Sequence, residues 1–177
     1  MDQQLNTMEH LLVDLQERAK ELNCLYTVEE ILHNPDLELE KVFGKIVSIL
    51  PNGFQYPHVC RARIAYRGQH YETPGYEVTP YAMKSEIVYQ GKQLGAIWVY
   101  YYKRMPDADE GPFLKEERRL LDTISDRIGF YLFYQTIKPH FEEVESKKKE
   151  LEESEKDDWK VILDLLRATD QKLYFRI

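Results

Sequence analysis

The side chains of this sequence that could act as nucleophiles or bind a soft metal are two cysteines and five histidines. No two histidines stand three or four residues apart, so a histidine metal site would need residues from distant segments. Cys24 and Cys60 are too few for a disulfide framework or a zinc site with several cysteines. Cys60 is next to Arg61 and close to Arg63, but strand alternation turns both arginines to the opposite face. We therefore interpret Cys60 as a buried apolar side chain, and we expect no metal and no cofactor.

A second group that could do chemistry is the acidic loop that contains Asp107, Asp109 and Glu110. Three carboxylates could bind a cation, but this loop directly precedes a predicted helix, and the N-terminus of a helix favours negative charge. The sequence has no phosphate-binding loop, no dinucleotide-binding glycine motif and no nucleophile elbow. Because no nucleophile, base and oxyanion site can be assembled, we expect a chain without catalytic residues.

Aromatic and basic residues are the remaining side chains that could bind a ligand. Our candidates for a small-molecule pocket in the predicted sheet are Cys60, Arg63, Tyr66, Tyr81, Trp98 and Tyr100. Arg61, Arg63 and Lys84 could contact an anionic ligand. Cross-strand ion pairs with Glu72 or Glu86 would satisfy the same charges. Packing in the sheet core is the alternative role of the aromatic rings.

The composition narrows the classes of partner. The 177 residues carry 31 acidic and 24 basic side chains, which gives a net charge of −7 and a pI near 5.3. A nucleic-acid-binding protein needs a basic face, so we expect no nucleic-acid partner. No apolar run approaches the ~20 residues of a membrane helix, and the N-terminus lacks the features of a signal peptide. Together with the low cysteine content, these features predict a cytoplasmic protein that does not bind a membrane.

Residues 1–33 are predicted to form an amphipathic helix with a coiled-coil pattern. Apolar residues recur at alternating intervals of three and four, and charged residues lie on either side of them. Such a narrow stripe is typical of a helix that pairs with another helix. The predicted seam of a homodimer consists of Leu5, Met8, Leu12, Leu15 and Leu22, and the same spacing continues at Ala19 and Tyr26. The alternative is a single amphipathic helix that packs on its own domain.

Residues 34–135 are predicted to form an α+β domain. A second helix over residues 37–50, capped by Asp36, has the apolar spacing of a core-facing helix. From His58 the apolar period changes to two, and Gly68 and Gly91 mark the turns of two β-hairpins. The last predicted strand covers residues 92–102, and its run from Leu94 to Tyr102 is apolar or aromatic throughout, as expected for a central strand. The fold class is therefore α+β, with a central antiparallel sheet and helices packed on one side.

A long helix is predicted to follow this sheet. It begins near Phe113, and Pro139 is expected to kink it or end it. Residues 136–158 are predicted to be a charged helical linker, since residues 142–158 contain nine acidic and four basic side chains. Residues 159–177 are amphipathic, and we expect them to begin a linker to a downstream domain outside this sequence.

Several short motifs resemble those of GAF-like sensor domains in bacterial signalling proteins. The motifs are Leu22-Asn23-Cys24-Leu25-Tyr26, Gln55-Tyr56-Pro57, Cys60-x-Ala62-Arg63-Ile64, Thr79-Pro80, Gly95 and the run from Asp109 to Arg118. They cover about residues 18–135, and the run over residues 109–118 is the most specific. The order of helices and hairpins, with long helices flanking both ends, is similar to that of the GAF/PAS superfamily. The sequence has neither a chromophore-type cysteine motif nor the signature of cyclic-nucleotide-binding GAF domains.

The resemblance implies a regulatory domain that binds a small molecule, or relays a signal, through dimeric flanking helices to an output domain in the same polypeptide. Such domains occur in proteins related to phosphoenolpyruvate synthase and pyruvate phosphate dikinase, and in histidine kinases. The segment from Trp159 to Asp170 resembles the linker of the first group, which implies a phosphotransferase as the output domain. The sensor domain of a histidine kinase and a ligand-free dimerisation scaffold are the alternatives.

Overall fold

A computed structural model describes the backbone of residues 2–75, 77 and 79–169. The side chains of residues 2–7, 9, 10, 142, 145 and 149–169 lie outside this description, as do all of residues 170–177. The predicted seam residue Leu5 and the side chains of the predicted linker over residues 159–177 are thus outside the described residues. The backbone separates into two compact units, Met1–Phe133 and Tyr134–Ile177. The described elements make the fold α+β, as predicted: three helices and a four-stranded antiparallel sheet.

The first two helices are joined by a short turn. Helix α1 (Asp2–Leu32) ends just before Asn34, where the following proline disfavours helical backbone. The side chain of Asn34 accepts a hydrogen bond from the N–H of Asp36 at 3.0 Å. Because Asp36 belongs to this turn, the prediction that it caps the second helix is wrong. Helix α2 (Leu39–Ile49) begins two residues later than predicted, after Glu38, which makes no side-chain capping hydrogen bond.

Two β-hairpins form the sheet. The strands are β1 (Cys60–Tyr66), β2 (Gln69–Glu72), β3 (Ala82–Tyr89) and β4 (Lys92–Tyr101). The two turns, Arg67-Gly68 and Gln90-Gly91, each contain two residues with positive φ. This is the conformation of type I′ hairpin turns, whose twist matches that of the strands. Both predicted turns are confirmed.

The strand order β2-β1-β4-β3 places β1 and β4 at the centre of the sheet. In this pair Ile64 lies opposite Ile97, and Arg63 lies opposite Trp98. The prediction that β4 is a central strand is therefore confirmed. Because successive side chains of a strand point to opposite faces, the sheet has a helix-covered face and an outer face.

The helix-covered face forms the hydrophobic core of the first unit. Its buried apolar strand residues are Cys60, Ala62, Ile64, Tyr66, Met83, Ile87, Ile97, Val99 and Tyr101. Buried helix residues pack against them, among them Val28 of α1 and Phe43 of α2. The outer face carries Arg61, Arg63, Ala65, Glu72, Lys84, Glu86, Ala96, Trp98 and Tyr100.

Two glycines allow close backbone contacts in this unit. A Cβ atom on Gly95 of β4 would overlap the carbonyl oxygen of Ala65 in β1. A Cβ atom on Gly129 would lie 2.7 Å from the carbonyl oxygen of Val88 in β3. A side chain at either position would therefore push a strand or a helix away from its neighbour.

Helix α3 (Lys115–Thr169) begins close to its predicted start. Pro139 lies inside the helix and does not end it, although a proline removes one helical hydrogen bond. Pairs such as Glu143 and Lys147, whose side chains hydrogen-bond at 2.6 Å, support the helix on the far side of the proline. None of the helices in the described ranges is long and apolar enough to cross a membrane.

Within the first unit, α1 lies beside the first part of α3. Arg18 forms an ion pair with Glu116 at 3.1 Å, and Glu29 forms one with Arg127 at 2.9 Å. From the first pair to the second, the chain advances 11 residues along each helix. The two helices therefore run parallel to each other here.

Candidate ligand face and helix surface

Three of the six predicted pocket residues belong to the hydrophobic core. Cys60 and Tyr66 lie on the helix-covered face of β1, and Tyr81 packs against the same core just before β3. Burial raises the pKa of the Cys60 thiol well above its usual range, and the nearby carboxylate of Glu117 raises it further. A protonated, buried thiol is a poor nucleophile, so Cys60 acts as an apolar core residue, as its strand position indicates.

The six residues therefore do not form one pocket. Cys60 and Tyr81 contact the core on the helix-covered side of the sheet. Arg63, Trp98 and Tyr100 point to the opposite face, because successive side chains of a strand alternate between the two faces. The ring of Tyr66 packs against Phe43 of α2, with 5.7 Å between the ring centroids. Arg63, Trp98 and Tyr100 remain as candidates on the outer face.

Arg63, Trp98 and Lys84 form a row across β1, β4 and β3 on the outer face. The centroid of the Trp98 ring lies 5.4 Å from the guanidinium carbon of Arg63 and 5.7 Å from Nζ of Lys84. Both cations also have carboxylate partners. Nε of Arg63 lies 3.3 Å from Glu72, and Lys84 donates a hydrogen bond to Glu86 at 3.0 Å. The predicted cross-strand pair is thus present between Arg63 of β1 and Glu72 of β2, whereas Lys84 pairs with Glu86 within β3.

Arg61 and Tyr100 form the next row and lie beneath the segment that follows β2. Tyr100 is buried, and the guanidinium carbon of Arg61 lies 4.9 Å from the centroid of the Tyr102 ring. A Cβ atom on Gly75 would lie 3.8 Å from Nε of Arg61, so the segment after β2 passes directly over this row. Arg61 has no carboxylate partner among the described side chains.

A shallow, open groove of about 250 Å³ lies on the other side of the Arg63 row. Its floor includes Ala65 and Ala96, which are opposite each other in β1 and β4. Because both side chains are only methyl groups, they leave a depression in the surface of the sheet. Its lining also includes Trp98, Lys84 and the turn residue Arg67, whose guanidinium carbon lies 5.2 Å from the centroid of the Tyr66 ring. Arg67 is not among the candidates chosen by residue type, since its position in the sequence indicates a turn.

The acidic loop before α3 has partners within the chain. Asp109 accepts a hydrogen bond from the N–H of Lys115, the first residue of α3, at 3.0 Å. Glu110 forms a two-oxygen ion pair with Arg118, and this hydrogen bonding lowers the pKa of the Glu110 carboxyl. No group of three or more His, Cys, Asp or Glu side chains is placed to hold a metal ion in the portion that the structure describes.

Glu117, which the sequence does not single out, is a buried carboxylate that links three segments. It is 1% exposed, and it accepts hydrogen bonds from the N–H groups of Gln55 and Leu114 at 2.6 and 2.7 Å. The hydroxyl of Tyr101 donates a third hydrogen bond at 3.1 Å. The bond from Leu114 is one half of a capping box, and the Leu114-x-x-Glu117 spacing could have revealed it. The contacts with Gln55 and Tyr101 depend on the tertiary fold.

The charge state of this Glu117 network follows from its burial. Burial raises the pKa of Glu117, while the three hydrogen bonds oppose that shift by favouring the carboxylate. Burial also raises the pKa of Tyr101, and the Glu117 charge adds to the effect. The Glu117 network fixes the start of α3 to β4 and to the segment before β1.

Helix α1 presents a buried and an exposed apolar surface. Cys24, Val28 and Leu32, at intervals of four, are buried in the core. The described residues of the predicted seam are more than half exposed: Met8 61%, Leu12 53%, Leu15 64% and Leu22 51%. We call these four residues the α1 seam. The alternative that this stripe packs on its own domain is therefore not observed for these four side chains.

Comparisons of the chain with protein-family models, with curated proteins and with solved structures found no match. The GAF-like resemblance thus stays a prediction from the short motifs.

Proposed function

We propose that this chain is a non-catalytic regulatory module of the GAF-like type, which forms a homodimer through α1 and passes a signal to an output domain. The expected output domain is a phosphotransferase of the phosphoenolpyruvate synthase or pyruvate phosphate dikinase type in the same polypeptide. The observation that carries this proposal is the exposure of the α1 seam.

The α1 seam exposes apolar side chains to water, which is unfavourable in a monomer. Four large apolar side chains lie along one stripe of α1, over a length of about 21 Å at ~1.5 Å per residue. Covering them with the same stripe of a second copy removes apolar area from water, which stabilises the paired state. Leu22 also lines a cleft of about 280 Å³ between α1 and α3, together with Leu25 and Leu120. The seam therefore continues into the contact between the two helices.

The contacts of α3 give a route for the signal. The Glu117 network holds the start of α3 to the sheet, and ion pairs with α1 hold the same part of α3 to the dimerisation helix. In the proposed mechanism, a change at the sheet alters the position of α3 relative to the paired α1 helices. Such a change biases an output domain only if its two states differ in their preference for these positions.

Sedimentation velocity tests the dimer with a matched pair of variants. We expect the wild-type chain at about 50 µM to sediment as a dimer and Leu12→Glu to sediment as a monomer, because a charge in an apolar seam is costly to bury. Val13→Glu is the control, since Val13 is 54% exposed on the same helix but lies outside the seam. We expect it to remain a dimer.

Two results would contradict the dimer. One is a wild-type chain that stays monomeric at this concentration, and the other is a Leu12→Glu variant that dimerises as well as Val13→Glu. Circular dichroism of each variant confirms that a change in sedimentation reflects association rather than unfolding.

A further inference from the structure

Helix α3 carries an exposed apolar stripe in the second unit. Tyr134, Phe141 and Val144 are each more than half exposed, and Ile137, on the same side of the helix, is half-buried. These four residues recur at intervals of three, four and three, and we call them the α3 seam. Alternating intervals of three and four are the a and d positions of the heptad repeat, along which two helices pack together.

Pro139 lies on the side of α3 that is opposite the α3 seam. At ~3.6 residues per turn, its direction differs by about 180° from the mean direction of the seam residues. A proline removes the hydrogen bond to the carbonyl four residues earlier, which here belongs to Gln135. Gln135 is exposed on the same outer side, where water binds a carbonyl that the helix leaves free. The proline therefore does not interrupt the α3 seam.

The charged residues beside the α3 seam favour a parallel partner with the same sequence. With Tyr134 at position a, position g of successive heptads holds His140 and Lys147, and the position e that follows each of them holds Glu145 and Glu152. In a parallel, in-register pair, position g of one helix lies beside the next position e of the other, so basic and acidic positions meet. An antiparallel pair would instead place the two basic g positions beside each other.

The present contacts of Lys147 are compatible with such a pair. Its ammonium group bonds to Glu143 of the same helix at 2.6 Å, but both side chains are exposed, and exposed pairs of this kind contribute little to stability. The next a position after Phe141 holds Lys148. A single lysine at a core position specifies the register and the number of helices, at a cost in stability.

We propose that the α3 seam pairs with the α3 seam of a second copy of this chain, as a parallel, in-register coiled coil. The inference rests on the proposed homodimer through α1, since four apolar residues per helix are too few to hold two copies together by themselves. Because α1 and the first part of α3 run parallel to each other, a parallel pair of α1 helices starts both α3 helices in the same direction. The α1 pair thereby raises the effective concentration of one α3 seam near the other.

Cysteine cross-linking measures this pairing in the full chain. Tyr134→Cys and Val144→Cys each place a thiol in the α3 seam, and Ser146→Cys, exposed on the opposite side of the helix, is the matched control. The unsubstituted chain is the second control, because its two cysteines, Cys24 and Cys60, are buried and burial raises the pKa of both thiols. We would oxidise each chain with diamide and follow the disulfide-linked dimer on a non-reducing gel.

We expect both seam variants to form the linked dimer about tenfold faster than Ser146→Cys, because a disulfide needs Cα atoms within about 7 Å of each other. Cross-linking at both seam positions also tests the orientation. In an antiparallel pair each residue lies opposite itself only at the centre of the pair, so positions 134 and 144 could not both form the linked dimer.

A matched pair of charge insertions in the Val144→Cys chain tests the apolar contact. We expect Phe141→Glu to slow cross-linking to the rate of the Ser146→Cys control, because a carboxylate in an apolar interface is costly to bury. Ser146→Glu places the same charge on the opposite side of the helix, and we expect no change. Circular dichroism of both variants checks that the helix is retained.

Three results would overturn the proposal: equal rates for the seam and control cysteines, cross-linking at only one of the two seam positions, and a rate that Phe141→Glu leaves unchanged. Sedimentation of the same proteins separates this inference from the α1 dimer. A dimer without preferential cross-linking contradicts only the α3 pair, whereas a monomer contradicts the α1 dimer on which the α3 pair rests. We expect Leu12→Glu to slow the cross-linking of Val144→Cys to the control rate.

Discussion

On the helix-covered face of β4, Ile97 and Val99 are fully buried against the helices, whereas Trp98, between them, lies on the outer face between two cations. Both faces are formed by the same strands, whose successive side chains point alternately to one face and to the other. The covered face has few polar side chains, and the buried carboxylate on its side of the sheet, Glu117 of α3, accepts three hydrogen bonds. The outer face carries several charged side chains that are partly exposed to solvent.

This difference separates polar groups that the protein must satisfy from those that solvent satisfies. A carboxylate in a core must have its hydrogen bonds satisfied, because an unpaired buried charge is strongly destabilising. Glu117 meets that requirement within the protein. Arg67, at the surface, has water as a partner, so folding does not require a carboxylate beside it. The charge at Arg67 is therefore satisfied by solvent, whereas the charge at Glu117 must be satisfied by the protein.

The largest effect that we expect comes from Glu117→Ala. This variant leaves the N–H groups of Gln55 and Leu114 and the hydroxyl of Tyr101 without their acceptor. Each unsatisfied buried donor costs about 1–3 kcal/mol, and some of this is recovered when water enters. We expect a loss of about 3 kcal/mol in the free energy of unfolding, measured by urea denaturation.

Glu86→Ala is the control on the outer face. Glu86 pairs with Lys84, and its side chain is 51% exposed. Exposed pairs contribute at most ~1 kcal/mol, so we expect a small change. Equal losses in the two variants would show that the Glu117 network does not differ energetically from a surface ion pair.

A pair of neighbouring truncations compares the two faces more directly. We expect Ile97→Ala to lower the free energy of unfolding by about 3 kcal/mol, because it leaves a cavity in the core. We expect Trp98→Ala to lower it by about 1 kcal/mol, although it removes more atoms, since the half-buried indole loses less contact with the protein. A larger loss for Trp98→Ala would mean that the outer face is also part of the core.

Local patterns in the sequence predict much of this fold. Alternation and the glycines at positions 68 and 91 locate both hairpins, because a type I′ turn needs residues that accept positive φ. The continuous apolar character of residues 94–102 predicts the central strand. The capping role of Asp36 fails as a prediction, because the side chain of Asn34 binds its backbone N–H and holds it in the preceding turn.

The candidate site was less accessible to sequence reasoning. Of the six candidates chosen by residue type, Arg63, Trp98 and Tyr100 lie on the outer face, whereas Cys60, Tyr66 and Tyr81 lie on the opposite side of the sheet. Strand order and register decide which residues become neighbours, and local sequence patterns predict neither of them. The contacts of Glu117 with Gln55, 62 residues away, and with Tyr101 depend on the tertiary fold for the same reason.

The smallest effect that we expect is a pair of opposite pH dependences from Glu117 and Glu110. Burial raises the pKa of Glu117, so the native state holds its proton more tightly than the unfolded state. The stabilising contribution of this protonation is present below the ordinary carboxyl pKa and is lost as pH rises through the raised value. Arg118 lowers the pKa of Glu110, so its contribution is present above the ordinary value and is lost as pH falls through the lowered one.

Urea denaturation of the wild type, Glu117→Gln and Glu110→Gln between pH 3 and pH 8, at about one-unit intervals around the ordinary carboxyl pKa of ~4.3, separates these two groups from all other carboxyls. The difference in free energy of unfolding between the wild type and Glu117→Gln should fall as pH rises, because only the wild type must bury a charge there. The difference between the wild type and Glu110→Gln should rise with pH, since only the wild type forms the ion pair with Arg118. Slopes of the same sign would show that burial does not dominate the environment of Glu117, and its three hydrogen bonds would then hold it as a carboxylate throughout this range.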